Sequence, residues 1–104
     1  MTRVALYATI QAMIKTWEHK GLQKFYQTGS KSGIQPKHVN KLKIILQLLD
    51  AIANPLDMNL PGMSFHTLTG KSKGFYSVTV NANWRVIFKF DGKDVILVDY
   101  LDYH

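Results

Sequence analysis

The residues of this sequence that could move protons at neutral pH are its four histidines. Histidine has an ordinary pKa of about 6.5, so it gives and takes protons near neutral pH. His66 and His104 lie in the part of the chain whose composition favours strands, and they are candidates for acid–base chemistry. His19 and His38 match no catalytic pattern, and the histidine spacing does not resemble a compact zinc site, so we expect no bound metal. A lone histidine is more often structural, so other residues must support a catalytic interpretation.

Positive charge is the second feature that bears on chemistry. Thirteen lysines and arginines against seven acidic residues give a formal net charge of +6. Such a field favours polyanions and speeds encounter with them, although many small basic domains bind no nucleic acid. The absence of cysteine excludes a disulfide scaffold and any thiolate metal site. No run approaches the roughly 18 apolar residues that span a membrane, so we expect a cytoplasmic protein with no membrane partner.

One compact domain must position these residues, because 104 residues are too few for two independent cores. Residues 1–12 show no clear helix cap or turn signal, and we expect them to be an N-terminal extension. The weak alternation over residues 14–19 predicts a strand. Residues 21–28 favour a short helix that Gly29 would end.

The most distinct element of the sequence is an amphipathic helix over residues 36–53. Pro36 suits a first helical turn, and Asn54-Pro55 ends the helix. At roughly 1.5 Å per residue, this helix would be about 27 Å long. Its apolar residues recur at spacings of three and four, and they are Val39, Leu42, Ile45, Leu46, Leu49 and Ile52.

After residue 62 the composition favours strands throughout. Residues 75–80 alternate, residues 81–83 form a turn, Asp91-Gly92 predicts a hairpin, and residues 95–101 predict a third strand. In the middle strand, one face holds Trp84, Val86, Phe88 and Phe90, and the other holds Arg85, Ile87 and Lys89. The expected fold class is therefore α+β, with two helices covering one face of a C-terminal, three-strand antiparallel meander.

Several separated blocks of the sequence, in this order, resemble the HigB toxins of the RelE/ParE superfamily. The blocks are Trp17-Glu18-His19-Lys20-Gly21-Leu22, residues 65–70, residues 74–86 with Asn83-Trp84-Arg85, and the final Asp99-Tyr100-Leu101-Asp102-Tyr103-His104. The resemblance covers about residue 13 to the end. It implies a RelE-like fold, with two helices packed on a twisted, mainly antiparallel sheet. It also implies an endoribonuclease that cleaves messenger RNA on the ribosome without a cofactor. The implied partner is a HigA-like helix-turn-helix antitoxin, through whose complex alone operator DNA would be bound.

The resemblance further implies roles for single residues. When an RNA 2′-OH attacks the neighbouring phosphorus, the reaction needs a base, an acid and cations for the phosphorane, but no metal. His66 and His104 would exchange protons, and the carboxylate that His104 carries favours its protonated form. Arg85 would grip two phosphate oxygens, and Tyr103 would position the hydroxyl or stack on a base. The structural alternatives are a surface salt bridge from Arg85 to Asp99 or Asp102, and a buried, hydrogen-bonded ring for Tyr103.

One position departs from the HigB pattern. These toxins usually read His-Pro-Leu-Lys-Gly where this chain reads His66-Thr67-Leu68-Thr69-Gly70, so Thr69 replaces a lysine. The loss of one transition-state donor typically costs roughly 3–4 kcal/mol. We expect Lys71 or Lys73, in the same loop, to reach the phosphate instead.

Lysines of the second predicted helix are further candidates for RNA contact, although a run of lysines is more often a solvated helix face. These lysines are Lys37, Lys41 and Lys43. Two other functions stay open at this point. A ParE-like toxin would bind gyrase without catalysis, and an inactive relative would bind only an antitoxin or DNA. The set of His66, Arg85, Tyr103 and His104 argues against the first alternative, whereas the missing lysine argues weakly for it. Thr69 also keeps the second alternative open.

Overall fold

A helical layer packs against a four-stranded antiparallel sheet in the computed structural model, which describes residues 14–103. The helices are α1 (Lys20–Thr28) and α2 (Val39–Ala51). The strands are β1 (His66–Thr67), β2 (Tyr76–Asn81), β3 (Trp84–Asp91) and β4 (Asp94–Asp102), and they neighbour one another in chain order. The predicted α+β class with two helices on an antiparallel sheet is confirmed. Residues 1–12 and His104, for which the sequence made predictions, lie outside the described residues.

Helix α1 is bounded by a polar side chain at one end and a glycine at the other. The His19 Nδ1 accepts a hydrogen bond from the Leu22 N–H at 2.9 Å, which satisfies one of the free donors of the first turn. Gly29 ends the helix with φ at 81°, and its N–H donates to the Phe25 carbonyl. The predicted end is confirmed, whereas the cap at His19 was not foreseen. Leu22 and Phe25 point into the core.

The prediction of one regular helix over residues 36–53 is wrong at both ends. Pro36–His38 form a 3₁₀ turn, and α2 ends at Ala51, so the α-helical part is about 20 Å long. The backbone leaves the helix at Ile52 because the following N–H groups bond elsewhere: those of Ala53 and Asn54 donate to the Asp57 carboxylate. The predicted stripe of apolar residues is nevertheless buried as expected, apart from half-buried Val39.

The predicted three-strand meander is confirmed by the pairing of β2 with β3 and of β3 with β4. The prediction that residues after 62 favour strands throughout is wrong over Gly70–Ser72, which form a 3₁₀ turn between β1 and β2. The strand predicted over residues 14–19 is present only as two isolated parallel bridges, from Ile14 to Val95 and from Trp17 to Val98.

A bulge in β4 decides which of its residues face the core. Leu97 has a φ of 55°, and the β3–β4 register shifts beside it. Val95 and Val98, which are three residues apart, are therefore both fully buried. The Leu97 N–H donates a hydrogen bond to the Thr16 hydroxyl oxygen at 2.8 Å. Among residues 14–103, no helix is long and apolar enough to cross a membrane.

Candidate active site

The sheet has one face that the helices cover and one that they leave open. Val78 pairs with Val86, and Val86 pairs with Tyr100, so these three buried residues lie in one row. Tyr100 bonds His38 at the start of α2, at 2.7 Å, which places this row under the helical layer. Alternate strand residues point the other way. We call that side, with the rows His66-Ser77-Ile87-Asp99 and Thr79-Arg85-Leu101, the open face.

Three of the predicted site residues lie on the open face. His66 and Arg85 lie in neighbouring rows, which are about 7 Å apart along the strands. Their strands are separated by β2 alone, so the two Cα atoms are about 12 Å apart by strand geometry. Tyr103 lies one row beyond Arg85, since its N–H donates to the Asn83 carbonyl at 2.8 Å. By the same geometry, the Cα atoms of His66 and Tyr103 are about 20 Å apart, so the three residues share one face without meeting at a single point.

A backbone carbonyl orients the imidazole of His66. The ring is exposed at the edge of the sheet, and its Nδ1 lies 2.7 Å from the Ser64 carbonyl oxygen. Because a carbonyl can only accept, Nδ1 carries the hydrogen. In the neutral ring, Nε2 is then the atom with the free lone pair. Ser64 has a φ of 46°, a conformation that a non-glycine residue rarely adopts. The chain thus holds His66 in the tautomer that a general base needs.

Arg85 is fixed by the turn between β2 and β3. Its Nη1 donates to the Ala82 carbonyl at 2.6 Å and to the Trp84 carbonyl at 3.2 Å. A guanidinium has five N–H donors in one plane, and both hydrogen bonds described for Arg85 use the same nitrogen. Nε and Nη2 therefore remain to form a two-pronged contact with phosphate oxygens.

Tyr103 is 42% exposed, so its ring is available to a ligand on this face. This excludes the alternative of a buried, satisfied tyrosine. His104, the other predicted proton donor, lies outside the described residues.

The lysines predicted to replace the missing family lysine lie in the loop between β1 and β2. Thr69 precedes the 3₁₀ turn in this loop, and Lys71 and Lys73 are exposed. The Leu68 N–H donates to the Phe75 carbonyl at 2.9 Å, which closes the loop at its base. The loop lies at the end of the open face opposite Tyr103.

The lysines predicted on α2 lie in the helical layer, and the structure does not bring them to His66. Lys41 donates to the Gly62 carbonyl at 3.0 Å, while Lys37 and Lys43 are exposed. Lys43 lines a groove of about 460 Å³ between the helices, together with Tyr26 and Asp50.

Burial shifts the pKa of three residues on the helical side of the sheet. It lowers the pKa of His38, with a smaller contribution from the charge of Lys37. It raises the pKa of Tyr100, against a small opposing effect of the hydrogen bond from Gln35. It also raises the pKa of Tyr26 to about 12, aided by the hydrogen bond and the charge of Asp50. No group of three or more potential metal ligands occurs within residues 14–103.

Lys89 is a basic residue of the open face to which the sequence assigned no role. It lies on the same face of β3 as Arg85, which the alternation of the strand already predicted. Its Nζ lies 5.2 Å from the centre of the Phe75 ring. The alternation of β3 therefore placed Lys89 beside Arg85 already in the sequence, but a lysine in a strand is ordinarily interpreted as a solvated residue without a function.

Solved structures of other proteins share this fold. The chain superposes on the structure of a YoeB dimer from Staphylococcus aureus with a TM-score of 0.56 and 17% identity, over 91% of this chain and 98% of that one. It superposes on a YafQ variant from E. coli with a TM-score of 0.52 and 18% identity, over 86% and 90% of the two chains. At this identity the likeness establishes the architecture alone.

The family follows from sequence. Residues 15–104 match the HigB-like toxin family, described as the RelE-like toxin of the type II toxin-antitoxin system HigB. The chain is 36% identical to the Endoribonuclease HigB of Proteus vulgaris, over 88% of this chain and 100% of that protein. It is also 36% identical to Toxin HigB-1 of Vibrio cholerae serotype O1, over 88% of this chain and 98% of that protein. The chain therefore belongs to the HigB-like toxin family, and an antitoxin is its partner.

Proposed function

We propose that this toxin is a metal-independent endoribonuclease that cleaves messenger RNA on the ribosome and so inhibits translation. The observation that carries the proposal is that His66, Arg85 and Tyr103 lie on the same open face of the sheet. The curated relative named an endoribonuclease, which the chain matches along that protein's whole length, supports the same chemistry.

In the proposed reaction, the RNA supplies its own nucleophile. The Nε2 of His66 removes the proton of a 2′-OH, and the 2′-oxygen forms a bond to the adjacent phosphorus. The bond from phosphorus to the 5′-oxygen breaks, and that oxygen takes a proton from His104. The products are a 2′,3′-cyclic phosphate and a 5′-OH end. The Ser64 carbonyl contributes by keeping the Nδ1 proton in place, so that the accepting nitrogen faces the substrate.

The cationic and aromatic residues serve the phosphate and the base. Arg85 stabilises the charge that develops on the phosphorane oxygens, since its remaining donors suit a two-pronged contact. Tyr103 orients the attacking hydroxyl or stacks on a base. Lys71 and Lys73 supply the positive charge that Thr69 lacks.

A second set of lysines serves the ribosome in this proposal. They lie in the helical layer, away from the open face, and they are Lys37, Lys41 and Lys43. Because the Lys41 ammonium is bonded to Gly62, we expect it to contribute less than the two exposed lysines.

We propose further that the antitoxin is a HigA-like helix-turn-helix protein, and that operator DNA is bound only through the toxin–antitoxin complex. The toxin would act in the cytoplasm. The chain would consist of a single toxin domain preceded by an extension, residues 1–12, that has no catalytic role. The family match, which starts at residue 15, supports this division.

The proposal is tested by primer extension on a reporter messenger incubated with ribosomes and purified protein, where the protein has been treated with EDTA and desalted before it meets the ribosomes. Wild type, His66→Gln and His104→Ala are compared, with Lys24→Ala as a control for handling and fold. We expect cleavage by wild type and the control only when ribosomes are present, and a loss of at least about 10²-fold for the histidine variants. Intact message under every condition would instead favour a catalytically impaired HigB relative, for which Thr69 is the observation in favour.

A further inference from the structure

Lys89 lies on the open face of β3, two rows beyond Arg85. Arg85, Ile87 and Lys89 alternate along β3, and Ile87 is in the same row as His66. The row of His66 therefore has Arg85 on one side and Lys89 on the other, each about 7 Å away along the strands. Two cations of β3 thus lie in the rows on either side of the His66 row, with β2 between them and the imidazole.

The side chain of Lys89 is held by its neighbours. The β2–β3 register places Phe75 opposite Lys89, and the ammonium lies 5.2 Å from the centre of that ring. Gly74 provides the space: a Cβ built there would be 3.1 Å from the lysine Cε and 3.5 Å from Nζ. Gly74 also has a φ of 95°, which disfavours any other residue. Lys89 is therefore partly ordered before any ligand binds.

A single RNA strand fits this arrangement. Proteins that bind single strands use a row of cations that follows the phosphates, with aromatic rings beside it. The spacing of rows on the open face is comparable with the separation of successive phosphates in an extended strand. If the scissile phosphate lies between His66 and Arg85, the Lys89 backbone is about 10 Å further along the strands, so its long side chain can reach back to the next phosphate.

We propose that Lys89, positioned by Gly74 and Phe75, binds the phosphate that neighbours the scissile one and so sets the direction in which RNA crosses the sheet. The proposal rests on the proposed function in that RNA is the ligand of this face. Lys89 binds and positions the strand, and it takes no part in proton transfer. It lies at the same end of the open face as the loop of Lys71 and Lys73, so its charge adds to theirs.

The test measures RNA binding separately from cleavage. A fluorescein-labelled single-stranded RNA with 2′-O-methyl groups is used as the probe, because it has no free 2′-OH to attack the phosphate. Its affinity for the full chain is followed by anisotropy between about 50 and 200 mM salt. Lys89→Met keeps the stem that packs on Gly74 but removes the charge, and Lys89→Arg keeps the charge. Lys24→Met, on exposed α1 in the helical layer, is the matched control.

We expect the slope of log K against log salt to become shallower by about 0.7 for Lys89→Met, the value for one phosphate contact on a single strand. Affinity at low salt should fall several-fold, Lys89→Arg should stay near wild type, and Lys24→Met should have no effect. A Lys89→Met slope equal to that of wild type would overturn the proposal, as would a wild-type chain that does not bind the probe. Lys89→Gln gives the same test if the Met variant fails to fold.

Primer extension in parallel separates this proposal from the proposed function. If wild type cleaves but the slope is unchanged, Lys89 has no role in binding and the ribonuclease stands. If wild type does not cleave but Lys89→Met flattens the slope, the RNA surface stands and the proposed reaction fails.

Discussion

The hydroxyl of Tyr100 is the best place to test how the helical layer is joined to the sheet. It lies 2.7 Å from the Nδ1 of His38 and accepts a longer bond, of 3.3 Å, from the Gln35 N–H. Tyr100 is 3% exposed and His38 is fully buried. The other ring nitrogen of His38 has no hydrogen-bond partner among the described residues. Tyr100→Phe therefore removes the hydrogen bond that satisfies the imidazole.

The expected loss follows from these contacts. A buried polar atom left without its partner costs about 1–3 kcal/mol, and the long bond to the exposed Gln35 adds little. We expect the free energy of unfolding to fall by about 2 kcal/mol. In a domain of this size, 1 kcal/mol corresponds to roughly 4–8 °C, so Tm should fall by about 10 °C.

Urea and thermal unfolding, followed by circular dichroism at pH 7.5, measure this loss. Tyr103→Phe is the matched control, because it removes the same hydroxyl from an exposed ring and should change stability by less than about 0.5 kcal/mol. If Tyr100→Phe were as stable as this control, the hydroxyl would not be joining the two layers, and the account of the buried pair would be wrong.

Three further predictions concern ionisation and the guanidinium. Burial lowers the pKa of His38, so the unfolded chain takes up its proton first as the pH falls. The free energy of unfolding should therefore decrease below about pH 6.5, and by less in His38→Gln, as urea titrations at pH 7.5 and 5 would record. The pKa of Tyr26, raised to about 12, implies stability that is present below pH 10 and lost between pH 10 and 12. Phenolate absorbance should show this late titration, and Asp50→Asn should bring it closer to 10; a titration that Asp50→Asn leaves unmoved would exclude the carboxylate as a cause. Arg85→Lys keeps the charge but not the planar fork, so cleavage should slow by about 10²-fold or more with little change in Tm. Wild-type cleavage by this variant would show that only the charge matters.

Local signals in the sequence predicted most of the layered architecture. The apolar stripe of α2, Gly29 after α1 and Asp91-Gly92 between β3 and β4 each specify their element through nearby residues. The alternation in β3 also predicted that Arg85 faces away from the core. These signals act over a few residues, so no tertiary information is needed to interpret them.

The features that the sequence did not predict depend on distant partners. Strand β1 has two residues, too few for a pattern, and exists because His66 and Thr67 pair with β2. The bulge at Leu97 depends on pairing with β3. The orientation of His66 depends on the Ser64 carbonyl, and no side-chain pattern reports that contact. The family blocks named the site residues, but only the strand register shows which of them share a face.

The bridges from Ile14 and Trp17 to β4 have a consequence for the order in which the protein can fold. Their partners, Val95 and Val98, come about 80 residues later in the chain. Closing so long a loop is slow, and it cannot occur before the later residues have been synthesised. During translation, the backbone groups of residues 14–17 therefore stay solvated until β4 has been synthesised. A chain truncated before Val95 would form neither bridge.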